Sequence, residues 1–211
     1  MQTSASAGFL IDIASGCEIF LRMKSLSRPF ILALTTACGI FLAPAPQLIA
    51  ADTNAISSLK GDKLYTQFSL FYEKNIHRTT NYRKGVFVPI NTEVTFVKAS
   101  KNEIDVIIPD DTDLKIVNVE KFSGENINGI FHRTFGKNPV DLSRFSAKEK
   151  NSIVAGEVEP DMSKDAVIAA LGYPPKHQTP SLKSNQWRYW HNRFNTFIVH
   201  FEDDKVKNVQ E

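Results

Sequence analysis

The sequence contains few of the groups that covalent catalysis and soft-metal binding require. Only 2 of its 211 residues are cysteines, Cys17 and Cys38, and both lie near the N-terminus. The rest of the chain can therefore form neither a disulfide framework nor a cysteine-ligated metal site. A G-x-S-x-G nucleophile elbow and a glycine-rich phosphate loop are also missing. These absences predict a protein that is not an enzyme and that needs no cofactor.

An excess of charge of one sign is missing as well. The 25 lysines and arginines are nearly balanced by 23 aspartates and glutamates, which gives a formal net charge of +2. Both signs are mixed along the chain, without a basic stripe or an acidic tail. This pattern gives no support to nucleic-acid binding or to strong attraction by anionic lipid.

Potential metal ligands are scattered. The 5 histidines show no H-x-x-x-H spacing. His191 and His200 could meet across a hairpin and form a weak metal site, although separate surface or cross-strand histidines are the more common arrangement. Asp110, Asp111 and Asp113 lack the central glycine and the distal glutamate of a calcium loop, which indicates a solvated turn. We therefore predict no metal site.

Residues 23–51 have the pattern of a signal peptide. Met23 to Arg28 is a short basic segment, and Pro29 to Ala43 is an apolar segment too short to span a membrane comfortably. Small residues around Ala50 offer a cleavage site. The pattern predicts an exported, periplasmic product without a transmembrane span in the mature chain.

Two features of the N-terminus leave alternatives open. Residues 1–22 fit no export signal and indicate an over-extended gene start at Met23, with a genuine longer N-terminus as the alternative. Cys38 is the candidate for lipid attachment and would tether the protein to the outer membrane. The preceding Thr35-Thr36-Ala37 departs from a lipobox, which favours a soluble periplasmic product over a lipoprotein.

Residues 59–122 alternate short strand-like runs with polar turns. The runs with strand composition are Leu64–Tyr72, Gly85–Thr92, Val94–Val97, Ile104–Ile108 and Leu114–Val119. They predict a small antiparallel β-barrel or sandwich that behaves as a separate unit. The run ending at Thr92 resembles bacterial SH3-like modules, with Asn91 in place of a glycine. A connector, residues 123–145, follows, with one short helical or aromatic patch at Ile130, Phe131 and Phe135.

Residues 146–211 begin with two helix signatures. Ser146 and Glu149 form an S-x-x-E capping box, and Gly156 suits the end of that helix. Ser163 can cap a second helix, which Gly172 and the two prolines after it would end.

Two aromatic strands and a short third strand follow these helices. Trp187 and Tyr189 share one face of the first strand, and Phe197, Val199 and Phe201 share one face of the second. The predicted fold class is α+β, in which two helices cover a three-stranded antiparallel sheet behind the small β-barrel.

This order of elements resembles the BamE (SmpA/OmlA) family of small envelope lipoproteins. The segments that carry the resemblance are Ile153–Val158, Asp161–Val167, Leu171–Pro174 and the strand Trp187–Trp190. Asp161 stands where the family usually has glycine, and Ala166 where it has glutamate. The resemblance implies a helix-on-sheet fold and an association with the machinery that assembles outer-membrane β-barrels.

The aromatic hairpin also supplies the candidate site. Strand alternation places Arg188 and Trp190 on the face opposite Trp187 and Tyr189. Exposed aromatic residues beside arginine suit a protein interface, although connecting loops or the middle region could cover this face instead. The candidate protein-binding residues on this face, in its turn and in the adjacent proline loop are Tyr173, Pro174, Pro175, Arg188, Trp190, Arg193 and Phe194.

The sequence therefore predicts a non-enzymatic cell-envelope protein that mediates protein–protein interactions in outer-membrane biogenesis or assembly. Its expected partners are envelope or outer-membrane proteins. The alternative is a periplasmic peptide-binding, peptidoglycan-binding or inhibitor-type module.

Overall fold

The computed structural model describes residues 56–192 and 194–211. The signal peptide, the start at Met23 and the lipidation candidate Cys38 lie outside the described residues. The described part is a mixed α+β protein with four complete α-helices and several antiparallel strand pairs. None of its helices has the length and apolar character that a membrane span requires.

The larger sheet has six strands. In spatial order they are β3 (Ile76–Arg78), β7 (Thr112–Val117), β6 (Glu103–Ile108), β5 (Glu93–Ala99), β1 (Lys63–Thr66) and β8 (Phe135–Gly136). Neighbouring strands are antiparallel except β3 and β7, which run parallel. The run predicted as one strand from Leu64 to Tyr72 is divided between β1 and β2 (Leu70–Tyr72). β2 pairs with β4 (Val86–Val88) in a separate two-stranded antiparallel sheet, called the β2–β4 ribbon. This arrangement does not confirm an SH3-like barrel.

The core of this part is completed by residues from the predicted connector. Two helices lie there, α1 (Glu120–Ser123) and α2 (Ile127–Thr134). The side chain of Asn126 caps α2 by accepting a hydrogen bond from the Gly129 N–H. Helical spacing then brings Ile127, Ile130 and Phe131 into the core formed by the alternating buried residues of β5 and β6.

The C-terminal part contains the predicted two helices and three strands. They are α3 (Ala147–Ala155), α4 (Lys164–Leu171), β9 (Gln186–Trp190), β10 (Thr196–Glu202) and β11 (Lys205–Gln210). The strands form an antiparallel sheet in the order β11-β10-β9. Trp187, Tyr189, Phe197, Val199 and Phe201 are all buried on one face, as their alternation predicted. The prediction of a three-stranded antiparallel sheet is confirmed.

Side chains cross between the two cores. Tyr82 and Ile90 precede β5 in the chain, yet both lie in the core of the C-terminal part. The Ser69 N–H donates a hydrogen bond of 3.2 Å to the Ala169 carbonyl in α4. The two parts are therefore packed against each other through specific contacts, whereas the domain boundaries at residues 122 and 145 remain predictions.

The carboxylate of Glu149 holds the starts of both C-terminal helices. It accepts hydrogen bonds of 2.9 Å from the Ser146 N–H at the start of α3 and of 2.9 Å from the Ser163 N–H at the start of α4. The Ser146 hydroxyl in turn accepts from the Glu149 N–H, so the predicted capping box is confirmed. Partial burial opposes ionisation of Glu149, but these donors outweigh it and lower the pKa to about 2.

We expect Glu149→Gln to destabilise the protein by about 1–2 kcal/mol at neutral pH, because a neutral amide accepts the same hydrogen bonds more weakly. The folded-state pKa of about 2 lies below the ordinary value of 4.5. The stabilisation is therefore complete above about pH 4.5 and is lost as the pH falls towards 2. Urea unfolding of both proteins from pH 7 to pH 2 measures this, and the difference between them should vanish at the acid end. A constant difference would contradict the role of the ionised carboxylate.

Candidate functional site

A groove of about 750 Å³ lies where the two packed parts of the described chain meet. We call it the central groove. One wall consists of the β2–β3 turn, β3 and the loop after it, with the lining residues Glu73, Lys74, Ile76, Arg78, Thr80, Asn81, Tyr82 and Lys84. The opposite wall consists of Phe122, Trp190, His191 and Asn192.

The first wall is built by a tight hairpin. Glu73 and Ile76 exchange backbone hydrogen bonds of 3.1 and 3.0 Å across the two-residue turn Lys74-Asn75. Both turn residues have positive φ, 51° and 59°, as a type I′ hairpin requires. The turn presents Lys74 at the rim of the groove.

The loop after β3 is held by side-chain hydrogen bonds. The Asn81 amide nitrogen donates to the carbonyls of Phe71 (2.9 Å) and Lys84 (2.8 Å). Asn81 Oδ1 also accepts from the Lys84 N–H, at 2.9 Å. These bonds fix the backbone on both sides of Tyr82, so this groove wall is preorganised.

Tyr82 anchors this wall in the C-terminal core. Its ring meets the edge of the Tyr189 ring at 5.0 Å, and its hydroxyl donates a 3.0 Å hydrogen bond to the Tyr173 carbonyl. Burial raises the pKa of Tyr82 well above its ordinary value, so the phenol stays protonated and remains a donor. The neighbouring Arg83 lies over the Phe197 ring at 4.2 Å.

Two residues of the second wall, Phe122 and Trp190, form an aromatic cluster with His177 behind them. The His177 and Trp190 rings stack with an angle of 22° at 6.3 Å, and Phe122 lies 4.8 Å from His177. Trp190 is half-buried. The loop that carries His177 is tied to β9, because the Thr179 hydroxyl accepts a 3.0 Å hydrogen bond from the Arg188 N–H. A connecting loop therefore covers part of the predicted aromatic face.

The charge of the groove lining is positive. Three cations, Lys74, Arg78 and Lys84, face one carboxylate, Glu73. Lys84 and Glu73 form an ion pair of 3.1 Å. Lys74 and Arg78 are exposed and form no ion pair with any residue that the structure describes. The groove can therefore supply two positive charges, unpaired within the described part of the chain, next to an aromatic wall.

Of the predicted site residues that the structure describes, only Trp190 lines the central groove. Tyr173 and Pro174 line a small cavity of about 40 Å³ that also touches Tyr82. Pro174 and Pro175 are buried, so they offer a partner little surface. The two prolines are packed into the protein, whereas Lys176 and His177 directly after them are exposed.

The remaining predicted site residues lie elsewhere. Arg188 is exposed on the outer face of β9, where its guanidinium lies 3.4 Å from the Thr196 hydroxyl. Phe194 is 84% exposed in the β9–β10 turn. Arg193 lies outside the described residues.

Sequence reasoning missed the cationic wall. Lys74 and Arg78 were assigned no role, because no motif surrounds them. The available signal was the polar pair Lys74-Asn75 between the runs Leu70–Tyr72 and Ile76–Arg78, which indicates a two-residue hairpin.

The strand register places His191 and His200 at opposite ends of the hairpin. His191 lies at the turn, with its N–H bonded to the Asn195 carbonyl, whereas His200 is paired with Gln186 at the other end of the hairpin. The possibility that His191 and His200 meet is therefore wrong, because the strand register separates them. Within the described part, no three His, Cys, Asp or Glu side chains are grouped to hold a metal ion.

His77 lies in the protein interior and contacts the backbone. Its ring Nδ1 lies 2.8 Å from the Phe71 carbonyl, and the residue is buried. Burial lowers the pKa of His77 to about 4, against an opposing effect of that carbonyl. The ring is therefore neutral at physiological pH and donates to the carbonyl from Nδ1.

The central groove is equipped for binding: ammonium and guanidinium groups, amides and aromatic surface face a common space. Comparisons of the chain with protein-family models, with curated proteins and with solved structures found no match in any of the three.

Proposed function

We propose that this protein is a non-enzymatic cell-envelope protein that mediates protein–protein interactions, in outer-membrane biogenesis or assembly. The central groove is its partner-binding site. The observation that carries the proposal is that Lys74 and Arg78, which form no ion pair within the described residues, line one groove together with the half-buried Trp190. Such a groove at the junction of two packed parts is a common place for a ligand or a partner segment.

The proposal also assigns the two parts of the protein to domain families. We assign the C-terminal part to a BamE-like domain, and residues 59–122 to an SH3-like domain. Asp161 has a φ of 71°, a conformation that favours glycine, at the position where the BamE family usually has glycine. Asn91, which replaces the glycine of SH3-like modules, has a φ of 64°. Both observations support the resemblances at single positions.

Export is tested by the intact mass of the protein purified from the envelope of a Gram-negative host. We expect a chain that starts near Ala51 or Asp52 in the soluble periplasm. A diacylglyceryl-modified chain that starts at Cys38 would contradict the soluble product and identify a lipoprotein. Retention of an uncleaved chain in the cytoplasm would contradict the envelope function.

Partner binding is tested by site-specific photo-crosslinking in the envelope of the producing cells. A photo-crosslinking amino acid at Lys74 should form an adduct with one envelope protein. The matched control is Lys137, an exposed lysine just after β8, which is at the edge of the six-stranded sheet opposite β3. Equal adducts from both positions, or none from Lys74, would contradict the proposal.

A second candidate function is binding of a periplasmic peptide or peptidoglycan, or an inhibitor-type role. The volume of the groove, about 750 Å³, favours it, because small-ligand sites span about 300–1,000 Å³. Co-sedimentation with purified cell-wall sacculi tests it. Retention that disappears on Trp190→Ala would support this second function.

A further inference from the structure

We propose that the occupant of the central groove is a short acidic peptide segment of a partner protein, with two carboxylates flanking an aromatic or aliphatic side chain. This inference rests on the proposed function and names the chemistry of the partner. It starts from the charges of the groove.

The lining of the central groove carries more net positive charge than the linings of two other surface grooves of the described chain. One of these is lined by Arg133 and Arg144, which are paired with Glu125 and Asp165. The other has four cations and three carboxylates in its lining, and its Lys164 is paired with Asp204 at 2.7 Å.

In the central groove, three cations face one carboxylate, and only Lys84 is paired with it. Lys74 and Arg78 form no ion pair within the described residues. An occupant with negative charge gains attraction there without first breaking an existing ion pair.

The spacing of the two cations favours a segment over a single anion. Lys74 lies in the turn before β3, and Arg78 is the last residue of β3. From the rise along a strand, the Cα atoms of the two residues are on the order of 10 Å apart, so each side chain can bind its own carboxylate. Two carboxylates on successive parts of a peptide chain match this separation.

The second wall specifies the residue between the carboxylates. Phe122 and Trp190 present apolar surface opposite the cations. One face of the Trp190 ring is stacked on His177 at 22°, which leaves the remaining surface of the ring for an occupant. This surface suits contact with the edge of a phenylalanine or leucine side chain.

The size of the groove limits the occupant. A volume of about 750 Å³ holds a few side chains rather than a folded domain. Preorganisation helps a short segment to bind, because the bonds from Asn81 hold the loop that forms the first wall.

The test uses the protein as purified from the envelope and a labelled synthetic peptide with two glutamates flanking a phenylalanine. Fluorescence anisotropy should show binding about tenfold tighter than that of the matched glutamine peptide, and the difference should shrink in high salt. Equal affinities for the two peptides would overturn the proposal.

Charge reversal locates the site. Lys74→Glu combined with Arg78→Glu should weaken binding of the acidic peptide at least about tenfold and create binding of the corresponding lysine peptide. Lys137→Glu, at an exposed site on the opposite edge of the sheet, should change neither affinity. Circular dichroism and the melting temperature verify that all variants are folded. An equal loss in Lys137→Glu would overturn the assignment to this groove.

The outcomes separate this inference from the proposed function. An adduct from the Lys74 photo-crosslinker without acidic-peptide binding would retain the partner-binding function and refute the acidic segment. Acidic-peptide binding without an adduct would support the inference and refute the envelope partner. Sacculus binding that is lost in the double charge reversal would identify a cell-wall occupant and refute a protein segment.

Discussion

Replacing Trp187 with alanine is expected to lower the free energy of unfolding by about 3–5 kcal/mol. Trp187 is fully buried, and its ring lies 4.7 Å from that of Phe201 in the core between the three-stranded sheet and the helices. The truncation removes a large apolar contact area and leaves a cavity that the surrounding strands and helices can fill only in part. Urea unfolding followed by circular dichroism measures the loss through the midpoint and the slope.

The matched control is Trp187→Phe. The indole Nε1 of Trp187 is buried and has no hydrogen-bond partner among the described residues. Phenylalanine keeps part of the ring volume and removes this unpaired donor, so its cost should be well below that of alanine. Equal losses in the two variants would contradict the assignment of the stability to ring packing.

The C-terminal part was predictable because its signals are local. The Ser146 and Glu149 capping box and the Ser163 cap lie within single helical turns, and both form as predicted. The burial of Trp187 and Tyr189 follows from the two-residue period of a strand. The sequence signals at these positions do not depend on how distant segments pair.

The middle region was less predictable because its pairing is non-local. The parallel strand pair joins Ile76–Arg78 to Lys115–Val117, and no turn motif in the sequence predicts this pairing. The predicted antiparallel barrel ignored this pair, since hydrophobic alternation reports strands but not their neighbours. In the connector, the spacing of Ile127, Ile130 and Phe131 was a helical signal, and α2 forms there.

The candidate site was also only partly predictable from the sequence, because it depends on non-local pairing. Trp190 was predicted from strand alternation, and it does line the central groove. Lys74, Arg78 and Phe122 lie near Trp190 because β3 pairs with β7 and because Tyr82 packs in the core of the C-terminal part. Pro174 and Pro175 were predicted to bind a partner because their loop lies next to the aromatic face, but both are buried. Closeness in the sequence gives no information about which side of a loop is packed.

Replacing Gly85 with alanine is expected to destabilise the protein by about 2–4 kcal/mol, because two unfavourable effects coincide at this position. Gly85 has a φ of 97°, which is costly for any residue with a Cβ. An added Cβ would also lie 2.1 Å from the Tyr72 carbonyl oxygen, so backbone must move in the ribbon where Tyr72 pairs with Val86. The free energy of unfolding, measured in urea, checks this expectation.

Gly61→Ala separates the two effects. Gly61 has a similar φ of 87°, but no atom lies within 4 Å of an added Cβ. Its substitution should cost only the conformational strain, about 1 kcal/mol. Gly85 also follows Lys84 in the groove wall, so Gly85→Ala should weaken acidic-peptide binding whereas Gly61→Ala leaves it unchanged. Equal destabilisation by both substitutions would show that the Tyr72 contact relaxes without cost, and would contradict a rigid β2–β4 ribbon beside the groove.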